Sequence, residues 1–278
     1  MAGRFDGQVA LVTGAARGQG RSHAVRFAEE GADIIAVDAC ITYEDRGYPG
    51  PEPEDLEETA CLVEKAGRKA VAHRVDVRDL AALEAAVGDG VRRLGRLDVA
   101  CVNAGIGTRY SVAHEMPPEE WQTMLDVNLT GAWHTCRASV PHILKGGRGG
   151  AVVLTGSVAG VRGLPHLANY TAAKHGVVGL MKVMAIELAP HLIRVNVVLP
   201  SQVDTPIIMN PKTFSLFCPD IDNPTKEDFA AASQASNLLP IPWADPTDIS
   251  NAVLFLASSE ARCVTGVALP VDNGLLVK

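Results

Sequence analysis

No Cys-x-x-Cys pair occurs in this 278-residue chain. Its six cysteines, at 40, 61, 101, 136, 218 and 263, are scattered, which indicates neither a disulfide framework nor a zinc site. No apolar run reaches the ~18 residues that a membrane-spanning helix needs. The first eight residues, Met1 to Gln8, lack the apolar stretch of a signal peptide. There is no dense Lys/Arg stretch and the net charge is −7, so neither nucleic acid nor an anionic membrane is an expected partner. The chain reads as cytoplasmic and metal-free, with inert thiols such as Cys101 buried in apolar surroundings. Internal repeats and linkers are missing too, which predicts one domain over 1–278.

What is present is alternation. Short β-branched runs at 9–13, 33–37, 70–75, 97–102, 151–155, 195–199 and 267–271 are separated by helical patterns at 21–30, 55–66, 80–94 and 119–136. Near-continuous apolar strands of this kind predict an α/β fold: a seven-stranded parallel sheet with helices on both faces. Pro141 is expected to end or kink the helix running toward Leu144. Two segments break the rhythm. Residues 40–53, rich in Tyr, Gly and Pro, form an inserted loop before a helix start near Pro53. Residues 200–246, with many prolines, form a substrate loop of the sort that serves as a lid.

Strand 9–13 runs into Gly14-Ala15-Ala16-Arg17-Gly18-Gln19-Gly20, a strand–turn–helix glycine pattern suited to a dinucleotide pyrophosphate. Gly14 permits the tight turn, Gly18 lets backbone approach the phosphates, and Gly20 allows close packing of helix on strand. Asp38 ends the next strand, placed to accept hydrogen bonds from the adenosine ribose and to repel a 2′-phosphate. Arg17 is the contrary signal, since an arginine in this turn can assist NADP; a solvated loop charge is its other reading. The repulsion at Asp38 outweighs it, and NAD is the expected cofactor. Asp76 and Val77 follow the third strand, where a carboxylate could meet the adenine amino group. Asn103, Ala104 and Gly105 follow the fourth, where they could line the cleft and tie the sheet. Taken singly, each is as consistent with a turn residue.

Tyr170 and Lys174 stand four apart on one helix face, and Ser157 lies thirteen residues ahead. A phenol titrates near pH ~10, and an ammonium close by lowers it by roughly 1–3 units. The spacing alone is weak. Beside a glycine-rich dinucleotide turn it becomes a proton-transfer site next to a hydride acceptor.

Together with Asn128, these motifs in this order resemble those of the short-chain dehydrogenases/reductases from Gly7 to Asn273. The resemblance implies a single Rossmann domain with Tyr170 as acid/base and Ser157 polarising the substrate oxygen. Lys174 would lower the Tyr170 pKa and hold the nicotinamide ribose, and Asn128 would support a water chain to Lys174. It places Gln19, Pro200 and Val203 in the cofactor site and Thr205 against the nicotinamide carboxamide. It also implies a homotetramer paired through helices 119–136 and 171–188. Ser201 departs from the usual glycine after Pro200.

The 40–53 insertion, the segment 54–59 and the stretch 218–229 are similar to the mycofactocin-associated, carveol dehydrogenase-like subgroup. That subgroup implies a loop covering a poorly exchanging NAD, with mycofactocin as an external redox carrier. The expected substrate is a small hydrophobic secondary alcohol or its ketone, walled by Ile207, Ile208, Met209, Phe214, Leu216 and Phe217, with Leu164 and His166 near Tyr170. Trp243 and Phe229 are expected to be packing anchors. A ketoacyl or steroid ketoreductase of the same family is the alternative; the acyl-carrier-protein form would favour NADP, against Asp38. A non-catalytic NAD sensor would have no need of Asn128, Ser157, Tyr170 and Lys174 together.

Overall fold

The computed structural model describes residues 3–278, so Met1 and Ala2, the first residues of the expected domain and N-terminus, lie outside the described residues. Strands β1 (Val9–Thr13), β2 (Asp33–Asp38), β3 (Ala70–Arg74), β4 (Val99–Val102), β5 (Gly150–Thr155), β6 (Ile193–Pro200) and β7 (Ala268–Val271) form one sheet. Their order is β3-β2-β1-β4-β5-β6-β7, and every pairing is parallel. All seven expected strands are present, each within two residues of its expected bounds.

Nine α-helices punctuate the described residues: α1 (Gly18–Glu29), α2 (Pro53–Lys65), α3 (Leu80–Leu94), α4 (Pro118–Leu125), α5 (Gly131–Gly146), α6 (Ala168–Leu188), α7 (Pro211–Phe217), α8 (Lys226–Ser236) and α9 (Pro246–Ala257). Successive strand residues point to opposite faces, so β1 feeds two cores. Val9 and Leu11 join Val37, Leu83 and Val102 on one side. Ala10 and Val12 join Phe27, Ile34 and Val253 on the other. The sheet is a Rossmann-like layer between helices: β2 and β3 are added on one side of β1, and the chain then crosses back to add β4 on the other. That reversal opens a crevice at the carboxyl ends of the strands, the usual ligand position in such sheets. Among the described residues no helix is long and apolar enough to cross a membrane.

Three expectations about helices need correction. The single helix over 119–136 is α4 and α5 joined through one π-helical turn, Asp126–Thr130. Of the two outcomes expected at Pro141, the helix end is ruled out: α5 runs on to Gly146. Proline removes one helical N–H, but Arg137, whose carbonyl loses that partner, is exposed and water can serve it. The 200–246 segment is no plain loop. Asn210 caps α7 through Thr213 N–H, and Thr225 with Asp228 forms a capping box for α8. Phe229, fully buried on α8, stacks with Phe214 (5.0 Å between ring centres) and Trp243 (5.6 Å) and meets Phe217 edge-on (5.1 Å). Phe229 and Trp243 are packing anchors as expected; Phe214 and Phe217 join them.

His23 on α1 carries a pH dependence. Its Nδ1 lies 2.8 Å from the Ser250 hydroxyl on α9, and that hydroxyl donates to the Pro246 carbonyl. Nδ1 thus has a hydroxyl partner, and the buried Nε2 has none. Burial pushes the imidazole down to about 3. The neutral form is the folded form, so its contribution is intact above the unfolded value near 6.5 and is lost as pH falls toward 3. On the order of 4 kcal/mol rides on this group. Denaturant midpoints measured from pH 7 to 4 should fall, and His23→Gln should flatten that slope. An unchanged slope in the variant would assign the acid sensitivity elsewhere.

Candidate active site

The crevice is lined by the expected dinucleotide residues Gly14, Arg17, Gly18, Gln19, Gly20, Asp38, Asp76, Val77, Asn103, Ala104, Gly105, Pro200, Val203 and Thr205. Ser157, Tyr170 and Lys174 line the same space. Gly14 and Ser157, far apart in the chain, thus meet because the ends of β1, β4, β5 and β6 follow one another across the sheet.

Its floor is the glycine turn. Gly14 has φ +69°, a conformation that disfavours a side chain, and a Cβ there would lie 2.9 Å from Ala104 Cα. A Cβ on Gly20 would meet the Gly14 carbonyl oxygen at 1.9 Å. The turn is therefore cut for bare backbone, with the start of α1 aimed at it. Asp38 is pinned by the N–H groups of Ala16 (3.0 Å) and Cys40 (2.9 Å). Asp76 is clasped by Arg78: burial raises its carboxyl, but hydrogen bonds from the Arg78 side chain and backbone carry it below the usual range. Asn103 ties the sheet as expected, donating to Thr13 O (3.0 Å) and accepting from the Thr155 hydroxyl (3.2 Å). Thr205 is buried with its methyl beside Gly18. Ser201 adopts no positive φ, so a serine sits there without backbone strain. Gln19 Oε1 and Ser201 Oγ are buried without partners, both on residues that line the crevice. A glycine cradle, a strand-end carboxylate and two unspent acceptors fit a dinucleotide.

Tyr170 and Lys174 extend from the first two turns of α6, with Lys174 Nζ 5.6 Å from the Tyr170 ring centre and donating to Thr155 O (2.8 Å). Burial pushes the phenol up to about 12; Ser157 opposes this, and the Tyr48 and Tyr110 phenols add to it. Burial pushes the Lys174 amine down to about 8. Within the protein alone, the expected depression of Tyr170 by Lys174 does not appear: burial dominates, and Ser157 supplies the opposing influence. Asn128 sits in the π turn, its amide bridging both ways to Ile106: Ile106 N–H to Oδ1 (2.8 Å) and Nδ2 to Ile106 O (3.0 Å). π turns recur at functional positions.

Over the crevice lies the 40–53 loop, contributing Ile41, Tyr43, Tyr48, Gly50 and Pro51 to its wall. Sequence reasoning missed how it is fastened. The Tyr48 hydroxyl accepts the Gly107 N–H (2.9 Å). Arg17 donates to Pro49 O and faces the Tyr48 ring at 5.9 Å, so it holds this loop. Arg46, buried, forms a two-point ion pair with Glu120 of α4 (2.9 and 3.0 Å). No local pattern links residues 74 apart; the only hint was a lone arginine among tyrosines. From the substrate loop, Ile207 and Ile208 reach the wall, whereas His166 is exposed, with φ 64°.

A parallel sheet with this turn, carboxylate and Ser–Tyr–Lys cluster around one crevice defines a dinucleotide-dependent oxidoreductase. A family model described as enoyl-(acyl carrier protein) reductase matches residues 14–276. The chain belongs to the short-chain dehydrogenase/reductase family. It is 54% identical to (-)-trans-carveol dehydrogenase of Rhodococcus erythropolis over 99% of both chains. Among solved structures it is similar to a carveol dehydrogenase from Mycobacterium avium in complex with NAD: 58% identity, TM-score 0.98, covering 99% of this chain and 100% of that one. A short-chain dehydrogenase from Mycobacterium paratuberculosis bound to NAD is 43% identical with TM-score 0.90, over 99% of this chain and 100% of that one.

Proposed function

We propose that this chain is a cytoplasmic NAD-dependent dehydrogenase that interconverts a hydrophobic secondary alcohol, of the carveol type, and its ketone. The observation that carries this reading is the convergence of Ser157, Tyr170 and Lys174 on the crevice that the glycine turn and Asp38 shape. The bound nicotinamide supplies the acceptor for the carbinol hydride. Tyr170, as phenolate, takes the alcohol proton; Ser157 holds the carbinol oxygen; a charged Lys174 favours the phenolate. Asn128 steadies the wall beside Lys174 through Ile106. Ile207, Ile208 and Tyr48 offer an apolar wall for the alcohol. Asp38 keeps a negative charge where the 2′-phosphate of NADP would lie.

The fastening of the 40–53 loop supports a second element of the reading: NAD stays bound between turnovers, and an external carrier such as mycofactocin removes the electrons. Denaturing the purified protein should release about one NAD per chain. A panel of hydrophobic secondary alcohols should then reduce an artificial electron acceptor without added nucleotide. Protein that is purified empty and works only with added NADP would overturn the assignment.

Exposed apolar side chains on α4, α5 and α6 (Trp121, Trp133, Val183, Ile186) support assembly as a homotetramer through these helices. Light scattering should give four chains per particle; a monomer at micromolar concentration contradicts this.

A further inference from the structure

The Arg46–Glu120 pair is more than a fastening. Both side chains are buried, at 1% and 5% exposure, so the Glu120 charge depends on its partners rather than on water. Glu120 Oε2 is held by Arg46 alone (3.0 Å). Oε1 takes Arg46 Nη1 (2.9 Å), and around it stand the Arg109 N–H (3.3 Å), Asn169 Nδ2 (3.3 Å) and the Thr108 hydroxyl (3.5 Å). Asn169, fully buried, precedes the catalytic tyrosine. Its Oδ1 accepts the Tyr170 backbone N–H (2.7 Å) and the Thr108 hydroxyl (2.8 Å). Arg46 also donates to Gly107 O, and the Gly107 N–H is the group that holds Tyr48. A continuous chain of polar contacts therefore runs from the loop through Glu120 and Asn169 to the backbone of Tyr170.

We propose that Glu120 is a positioning residue that couples closure of the 40–53 loop to the alignment of Tyr170, so that the site is competent only when the loop is seated. The proposal rests on the reading of Tyr170 as the acid/base. With Arg46 withdrawn, Glu120 is left a buried carboxylate with only weak neutral donors. Asn169 is the nearest side-chain amide it can recruit, and recruiting it disturbs the bond that fixes the first turn of α6. An opened loop thus leaves hydride transfer uncommitted, and a seated one aligns proton and hydride acceptors together.

The test compares Arg46→Met, Arg46→Lys and Glu120→Gln with the parent holoenzyme, all saturated with NAD. Two quantities are read: the rate at which labelled NAD replaces bound NAD, and the single-turnover rate of alcohol oxidation as a function of pH. Arg46→Met should release NAD roughly 100-fold faster, as for a buried pair broken on one side. Its single-turnover rate at saturating NAD should also fall roughly 10–100-fold, with the alkaline midpoint of its pH profile moved upward. Arg46→Lys, which keeps the charge at one point, should fall between Arg46→Met and the parent, and it decides the matter if Arg46→Met does not fold. Faster release with an unchanged saturated rate and midpoint would make the loop a cover only and overturn the coupling. So would variants that match the parent in both quantities. If the parent itself exchanges NAD rapidly, cofactor retention fails, but the saturated rate still judges the coupling.

Discussion

Tyr170→Phe is expected to lower the rate of alcohol oxidation by roughly 10²–10⁴-fold, the range that a positioned general base contributes. NAD should remain bound. The substitution removes only the hydroxyl: the ring stays beside Lys174, and the backbone N–H keeps its bond to Asn169. The sign of the pH dependence follows from the same group. Burial pushes the phenol up to about 12, so the phenolate is scarce at neutral pH and grows with each step toward alkali. Alcohol oxidation, which consumes the phenolate, should quicken as pH rises; ketone reduction, which needs the phenol, should slow. The residual rate of the Phe variant should be flat over the same interval. Oxidation by Tyr170→Phe within tenfold of the parent, or with the same pH slope, removes Tyr170 from the chemistry.

Gly20→Ala should weaken NAD binding by about 100-fold, the affinity equivalent of a severe overpacking strain. The new Cβ would stand 1.9 Å from the Gly14 carbonyl oxygen and 2.8 Å from Asn103 Nδ2. Neither neighbour is a free side-chain tip, because Gly14 is backbone and Asn103 is tied to Thr13. The start of α1 must then back away from the turn, taking with it the amides meant for phosphate. Gly88→Ala is the control. It too lies inside a helix, but its Cβ would meet nothing within 4 Å. That change should leave NAD affinity alone and raise stability by about 0.5–1 kcal/mol. Equal NAD affinity in Gly20→Ala and Gly88→Ala would mean that the turn does not hold the cofactor.

The strands were legible because a parallel sheet buried on both faces needs apolar residues at every position, as Ala10, Leu11 and Val12 show. The Ser157, Tyr170 and Lys174 cluster was legible because its parts are close in sequence: Tyr170 and Lys174 stand one turn apart on α6, and Ser157 lies just beyond the strand before. The π turn at Asp126–Thr130 was not, since its extra residue leaves the apolar spacing of 119–136 looking like one helix. Helices α7 and α8 carried readable caps, Asn210-Pro211 and Thr225 with Asp228, but they are short and sit among prolines. Least legible was the Arg46–Glu120 pair. Nothing at either residue names the other, because only the fold brings an inserted loop against α4. Arg17 shows the same limit: a choice between phosphate and solvent omitted the Pro49 carbonyl it in fact serves.

The most direct test of the whole account is to mix the purified protein, without added nucleotide or electron acceptor, with a hydrophobic secondary alcohol and record the near-ultraviolet absorbance of reduced nicotinamide. The account predicts a single burst of about one reduced nicotinamide per chain that stays with the protein on gel filtration and is lost in Tyr170→Phe. No burst from protein shown to contain NAD, or reduced nicotinamide appearing in the small-molecule fraction, would contradict it.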